Sequence, residues 1–196
     1  MKPSKVLKIF KEANALLEGH FILSSGRHSR QFLQKAFVFM NPKATEKLCK
    51  ALAKKIKAEC GQVDYIVSPA VGAIIPGYET ARHLGAKAIF VERENGEFKL
   101  RRGFSMEEGA RVIVVEDIIS TGLSVRETLD AIKEFPINLL GAAVLIDRSN
   151  GKSEIGAPLI ALASFEIESF YANELPEDLQ NIPAIKPGSR ALSSKV

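Results

Sequence analysis

The sequence predicts an α/β protein: a mostly parallel central sheet flanked by helices, with a small N-terminal hood. Two observations carry this reading. Short apolar runs at 65–67, 88–91, 112–115 and 139–146 have the uninterrupted character of strands buried on both faces. Segments of helical periodicity separate them, and strands alternating with helices build a parallel sheet.

Taken in order, Val6, Phe10, Ala13 and Leu17 recur at helical spacing, and Gly19 is expected to stop that first helix. A short strand at 21–23, a polar turn at 24–29 and a second strand over 32–39 are expected to form the hood as a hairpin. Asn41-Pro42 opens a helix, with proline in its first turn; Leu48, Leu52 and Ile56 mark its buried face and Gly61 follows it. After the strand at 65–67 comes a small-residue loop, 68–72, and a helix over 74–84 closed by Gly85. The strand at 88–91 leads into a charged stretch, 92–109, that reads as a mobile excursion. A strand at 139–146 ends in Asp147-Arg148, a further strand is placed at 159–162, and the proline-rich tail beyond Tyr171 is expected to cover the surface with little regular structure.

Composition narrows the class. With 46% apolar and 26% charged residues among 196, the chain reads as one globular domain, residues 1–196, with the hood at about 1–40 completed by the C-terminal segment. The net charge of +4 is too mild for a nucleic-acid footprint. The longest apolar or glycine run, 139–146, is too short to cross a bilayer, and the lysine-dotted N-terminus lacks the apolar core of a signal peptide. Neither nucleic acid nor membrane is therefore expected as a partner. Cys49 and Cys60 read as reduced structural thiols of a cytoplasmic protein, and no Cys/His spacing suits zinc. His20, His28 and His83 read as surface or structural residues.

The chemistry is concentrated in 111–134, RVIVVEDIISTGLSVRETLDAIKE. A β-branched strand is followed by two acids, Glu116 and Asp117, then Ile118, Ile119, the small turn Ser120-Thr121-Gly122, and Leu123-Ser124 opening an amphipathic helix. Loop N–H groups and hydroxyls at a helix N-terminus can hold a phosphate, and paired carboxylates at a strand's end can hold a sugar diol. The bland alternative is a helix start with ordinary N-capping residues. No G-x-x-x-x-G-K-[ST] or G-x-G-x-x-G occurs. What VIVVEDIISTG resembles, position by position, is the phosphoribosyl-diphosphate (PRPP) motif of the type I phosphoribosyltransferases.

Four further stretches narrow the resemblance: the hood motif F-x-L-x-S-G-x-x-S at 21–29, Ser68-Pro69-Ala70-Val71-Gly72, Ile146-Asp147-Arg148, and the closing Lys186-Pro187-Gly188-Ser189-Arg190. Over nearly its whole length the chain resembles the orotate phosphoribosyltransferases. That resemblance implies transfer of ribose 5-phosphate from PRPP to N1 of orotate, giving orotidine 5′-monophosphate and pyrophosphate, with Mg²⁺ required and no protein ligand to the metal assigned. It implies that Glu116 and Asp117 hold the ribose hydroxyls under a developing cation, that Ile118, Ile119, Ser120, Thr121, Gly122, Leu123 and Ser124 cradle the 5′-phosphate, and that Ala70, Val71 and Gly72 offer N–H groups to the pyrophosphate. Arg93 matches a pyrophosphate-binding arginine; Lys99, Arg101 and Arg102 match a basic loop that closes over the site. A homodimer is implied, with loop 94–109 reaching the neighbouring subunit's site. Arg148 matches the arginine that binds the orotate carboxylate, Ser120 the hydroxyl near the base, and Phe32 and Leu33 the hood pair along the pyrimidine. Lys35 adds charge there or stands solvated.

The chain departs from many relatives in four places. Ser24 stands for a hood lysine, Val71-Gly72 for Tyr-Lys, and Glu116 for Asp, and no histidine occurs between Glu94 and Gly109. Two rivals remain. A phosphoribosyltransferase for a neutral base would have no use for Arg148, and a non-catalytic PRPP sensor would have no need of both acids.

Overall fold

The computed structural model describes residues 1–23 and 25–187. Its central feature is a six-stranded sheet in the order β5-β4-β3-β6-β7-β8. The strands are β3 (Tyr65–Pro69), β4 (Lys87–Glu94), β5 (Glu97–Leu100), β6 (Arg111–Ile119), β7 (Asn138–Asp147) and β8 (Leu159–Ser164). All neighbours pair in parallel except β5, which folds back antiparallel on β4. The mostly parallel α/β architecture expected from the apolar runs is the one observed.

The two faces follow from the two-residue period of a strand. Ile66, Ile113, Val115, Ala143 and Leu145 face one apolar core with Leu48, Leu52 and Ile56. Their neighbours Val67, Val112, Val114, Ala142 and Val144 face a second core with Val125 and Ile132. The first core is covered by α1 (Pro3–Glu12) and α3 (Pro42–Cys60), with Ala81 of α4 (Ile74–Leu84); the second is covered by α5 (Leu123–Ile132). Leu48, Leu52 and Ile56 are fully buried, and the Asn41 side chain accepts a hydrogen bond from the Ala44 N–H to cap α3, as expected. The helix at 74–84 ends at Gly85 in the left-handed conformation, also as expected. Among the described residues no helix is long and apolar enough to cross a membrane.

Three boundaries differ from expectation. The first helix ends at Glu12, because Asn14 turns left-handed at φ 51°, and Leu17 lies in β1 (Leu16–Ile22); Gly19 sits where the strand register shifts. The stretch at 32–39 is not one strand: β2 (His28–Leu33) ends and the one-turn helix α2 (Ala36–Phe39) follows. The charged excursion carries the β5 edge strand, so 92–109 is partly a regular hairpin.

The hood is the β1–β2 hairpin, closed by the C-terminal segment. Ile22 N–H donates to Ile185 O and Ile185 N–H to His20 O, while His28 and Phe170 exchange backbone hydrogen bonds. His20 adds Nδ1 to Ile182 O at 2.8 Å and Nε2 to His28 Nδ1 at 2.6 Å, so both histidines are structural. The tail also contains the single turn α6 (Glu177–Gln180). Of the KPGSR motif, Lys186 and Pro187 are described; Gly188, Ser189 and Arg190 lie outside the described residues, as does Ser24 of the hood motif.

Candidate active site

Strand order reverses between β3 and β6: β4 lies on the far side of β3, β7 on the far side of β6. Ligands of open α/β sheets bind at such a switch point, beyond the carboxyl ends of the strands. Here that places the loop after β3 beside the end of β6. Glu116 and Asp117 are not beyond the strand, as the sequence suggested, but inside its last turn of pleat, at 7% and 0% exposure. Being consecutive on a strand, they face opposite sides.

Glu116 faces the α5 side. It lines a cleft of about 490 Å³ with Ile118, Ile119, Ser120, Thr121, Gly122, Leu123, Ser124 and Arg148, closed from the hood side by Leu23, Ser25 and Arg27. Burial, with the Asp117 carboxylate next to it, pushes the Glu116 carboxyl well above the usual carboxylate range. Asp117 faces the hood. Its Oδ1 accepts from the Ile118 N–H and from Lys35 Nζ, each at 2.6 Å. Lys35 Nζ is also 2.6 Å from Oδ2, but not aligned to donate to it, and buried Oδ2 accepts no hydrogen bond.

The turn after β6 is set by Gly122. Its φ of 79° is left-handed, and an added Cβ would come within 2.8 Å of Ile155 Cγ2 and 3.0 Å of an Arg126 guanidinium nitrogen. Gly122 also starts α5 without a side-chain cap and with no acid in the first turn, so the helix presents free N–H groups and its positive end to the cleft. Arg148 stands across from them. Its backbone N–H donates to Ile119 O at 2.9 Å, tying the end of β7 to β6, and Asp147 anchors the following turn by accepting from the N–H groups of Ser149 and Gly151. The Arg148 Nε is buried and without a partner, and burial lowers the guanidinium's proton affinity. A half-buried arginine with an unpaired donor beside a helix N-terminus is built for an anion, and a planar carboxylate suits its fork.

The whole chain now bears on this geometry. A Phosphoribosyl transferase domain model matches residues 40–181. The orotate phosphoribosyltransferase of Bartonella bacilliformis is 57% identical over 97% of this chain and 99% of its own length. The chain belongs to the orotate phosphoribosyltransferase family. That of Brucella canis is 56% identical over the same shares. The crystal structure of orotate phosphoribosyltransferase from Aeropyrum pernix, at 22% identity, superposes with a TM-score of 0.68 over 82% of this chain and 93% of that one, a likeness of fold.

With the family in hand, the sequence expectations can be located residue by residue. Glu116, the 118–124 turn and Arg148 come together around one cleft; Asp117, on the opposite face of β6, is buried against Lys35 instead. Ala70, Val71 and Gly72 lie on the loop after β3, where a Cβ on Gly72 would stand 2.6 Å from Asp117 Oδ2. The basic residues are elsewhere. Arg93 pairs with Glu127 at 2.5 Å and stacks on Phe98. Lys99 and Arg101 pair with Glu94, and Arg101 and Arg102 with Glu92, all on the β4–β5 hairpin. None of the four lines the cleft. The hood pair lies apart from this cleft: Leu33 is buried in the first core, and Phe32, on the opposite face of β2, packs on Phe21 at 5.8 Å. Neither lines the cleft.

Sequence reasoning passed over Arg27. It lines the cleft, donates to Ser169 Oγ at 2.9 Å and lies 4.1 Å over the Tyr171 ring. Its place inside the hood motif was the available signal. Among the described residues, Glu46, Glu79 and His83 form the one acidic and histidine group with metal-ligand spacing. It lies on α3 and α4, and Arg82, 2.7 Å from Glu79 and 3.5 Å from Glu46, already supplies its positive charge.

Proposed function

We propose that this chain transfers ribose 5-phosphate from PRPP to N1 of orotate, yielding orotidine 5′-monophosphate and pyrophosphate, a step of pyrimidine nucleotide biosynthesis. The observation that carries the substrate choice is the unpaired, buried Nε of Arg148 beside the acid-lined cleft: a carboxylate meets a guanidinium with charge and a matching fork, where a neutral base offers only uncharged acceptors. In this reading the 5′-phosphate sits on the free N–H groups at the start of α5 and on the hydroxyls of Ser120, Thr121 and Ser124. Arg148 grips the orotate carboxylate and turns N1 toward the sugar. As the C1–O bond breaks, positive charge grows on the ribose, and Glu116 and Asp117 stabilise it from fixed positions while holding the ring hydroxyls. The Ala70–Gly72 loop receives the pyrophosphate.

Mg²⁺, which keeps several waters and takes few protein ligands, would be held chiefly by oxygens of PRPP; Asp117 Oδ2 has the Lys35 ammonium 2.6 Å away, and no protein ligand is assigned. When bound, the ion draws charge from the departing pyrophosphate. Arg93, Lys99, Arg101 and Arg102 serve by closing the β4–β5 hairpin over a site, that of the partner in a homodimer, which excludes water from the electrophilic sugar. The exposed apolar side chains Val71, Ile75 and Tyr78, beside the pyrophosphate loop, supply a face for that partner. The chain works as one domain, its hood built from residues 1–40 and the C-terminal segment. A cytoplasmic setting fits its two free thiols, of which Cys49 is pushed by burial up to about 12.

The test is direct. Purified protein with PRPP, Mg²⁺ and orotate should consume orotate absorbance and release pyrophosphate, while uracil, adenine and hypoxanthine should release none. Equal release with uracil would remove Arg148 from base recognition.

A further inference from the structure

Lys35 lies outside the cleft's lining yet reaches the centre of the site. It stands between β2 and α2, and its side chain leaves the hood and crosses to the sheet, where Nζ meets both oxygens of the wholly buried Asp117 at 2.6 Å. The third wall of this junction is Gly72. A Cβ there would be 2.6 Å from Asp117 Oδ2, 3.2 Å from Lys35 Nζ and 3.4 Å from Lys35 Cε. Gly72 is not among the residues with positive φ, so its backbone does not demand glycine; the space does. Lys35 and Gly72 therefore fit each other: the missing side chain is the room through which the ammonium approaches.

An ammonium has three donors and no acceptor. Asp117 takes one here, and the Lys35 side chain remains 40% exposed. Its remaining donors stand beside the loop that receives pyrophosphate and against the acid that holds the ribose hydroxyls, which is where the leaving oxygen must lie. We propose that Lys35 is a substrate-binding residue that touches the pyrophosphate of PRPP, and that the hood thereby delivers to the leaving group a cation the 70–72 loop lacks. The inference rests on the transferase reading above. A lysine that only neutralised Asp117 would be half buried for packing and would not distinguish between the two halves of PRPP.

Calorimetric binding of two probes separates these roles: inorganic pyrophosphate with Mg²⁺, and ribose 5-phosphate. Lys35→Gln should weaken pyrophosphate about tenfold, the loss expected for one charge-assisted hydrogen bond, while ribose 5-phosphate changes by less than about twofold. Lys35→Arg should restore most of the loss, and Gly72→Ala, by displacing the ammonium, should reproduce it. If Lys35→Gln fails to fold because Asp117 is left unpaired, Lys35→Gln with Asp117→Asn removes that charge, and the same comparison is made against Asp117→Asn alone. Unchanged pyrophosphate affinity, or equal loss for both probes, would overturn the role of Lys35. A wild-type protein that binds neither probe and leaves orotate unconsumed would instead overturn the transferase reading itself.

Discussion

In the proposed reaction Arg148 and the two acids have separate tasks, so their replacements should fail in different ways. Arg148→Ala should lower kcat/KM for orotate by about 30-fold or more, because the orotate carboxylate loses its charged partner, with the KM for PRPP little changed; steady-state kinetics with each substrate varied would check it. Asp117→Asn should lower kcat by roughly 10²–10³, the usual effect of removing a group aimed at developing charge, with an unchanged circular dichroism spectrum. Glu116 carries a pH signature. Its folded value lies above its unfolded one, so the stability it contributes is complete below the unfolded value, near pH ~4.3, and is lost as pH rises through the folded value. Glu116→Gln should therefore match the wild type in urea midpoint at low pH and gain on it steadily toward alkaline pH. A difference that stays flat across that range would contradict the burial argument.

At the scale of elements, the start of α5 depends on one backbone conformation. Gly122→Ala places a Cβ in a left-handed residue, costing about 1–2 kcal/mol, and drives it against Ile155. Thermal denaturation should show the loss, and the KM for PRPP should rise because the phosphate turn opens. Elements whose sequence signal was local and strong stand where expected, such as α3 behind Asn41-Pro42 and α4 before Gly85. Elements were misjudged where two periods run together. Leu17 continues the helical spacing of Val6 and Phe10 although Asn14 has already ended the helix. Residues 32–39 hold a strand end and a helix of four residues, too short to display a period. β5, EFKL, has too many charges to read as a strand. Within the site, the motif residues were legible because they are consecutive along β6 and its turn. Arg27 and the pairing of Lys35 were not, because the contacts of Lys35 with Asp117 and of Arg27 with Ser169 span 82 and 142 positions.

For the whole molecule, the paired basic residues of the β4–β5 hairpin lie away from the cleft of their own subunit, which makes a prediction about assembly. Subunits carrying Asp117→Asn, mixed with subunits carrying Lys99→Gln, Arg101→Gln and Arg102→Gln together, should recover activity that neither parent shows, since hybrid dimers contain one site with both sets intact. Sedimentation of the mixture should give the mass of two chains. Recovery absent from a verified hybrid would confine the hairpin to its own site.

The same hairpin has a second consequence, for handling the protein. β5 is the last strand on its side of the sheet, and an unpaired strand margin is a template for polymerisation unless it is short and charged. Its four residues, two of them Glu97 and Lys99, meet that condition, so a lysine proposed to serve the reaction would also help keep neighbouring molecules from zipping together. Replacing Glu97 and Lys99 with leucine or valine would cost solubility before it cost turnover, and light scattering would register the aggregates while glutamine variants stayed clear.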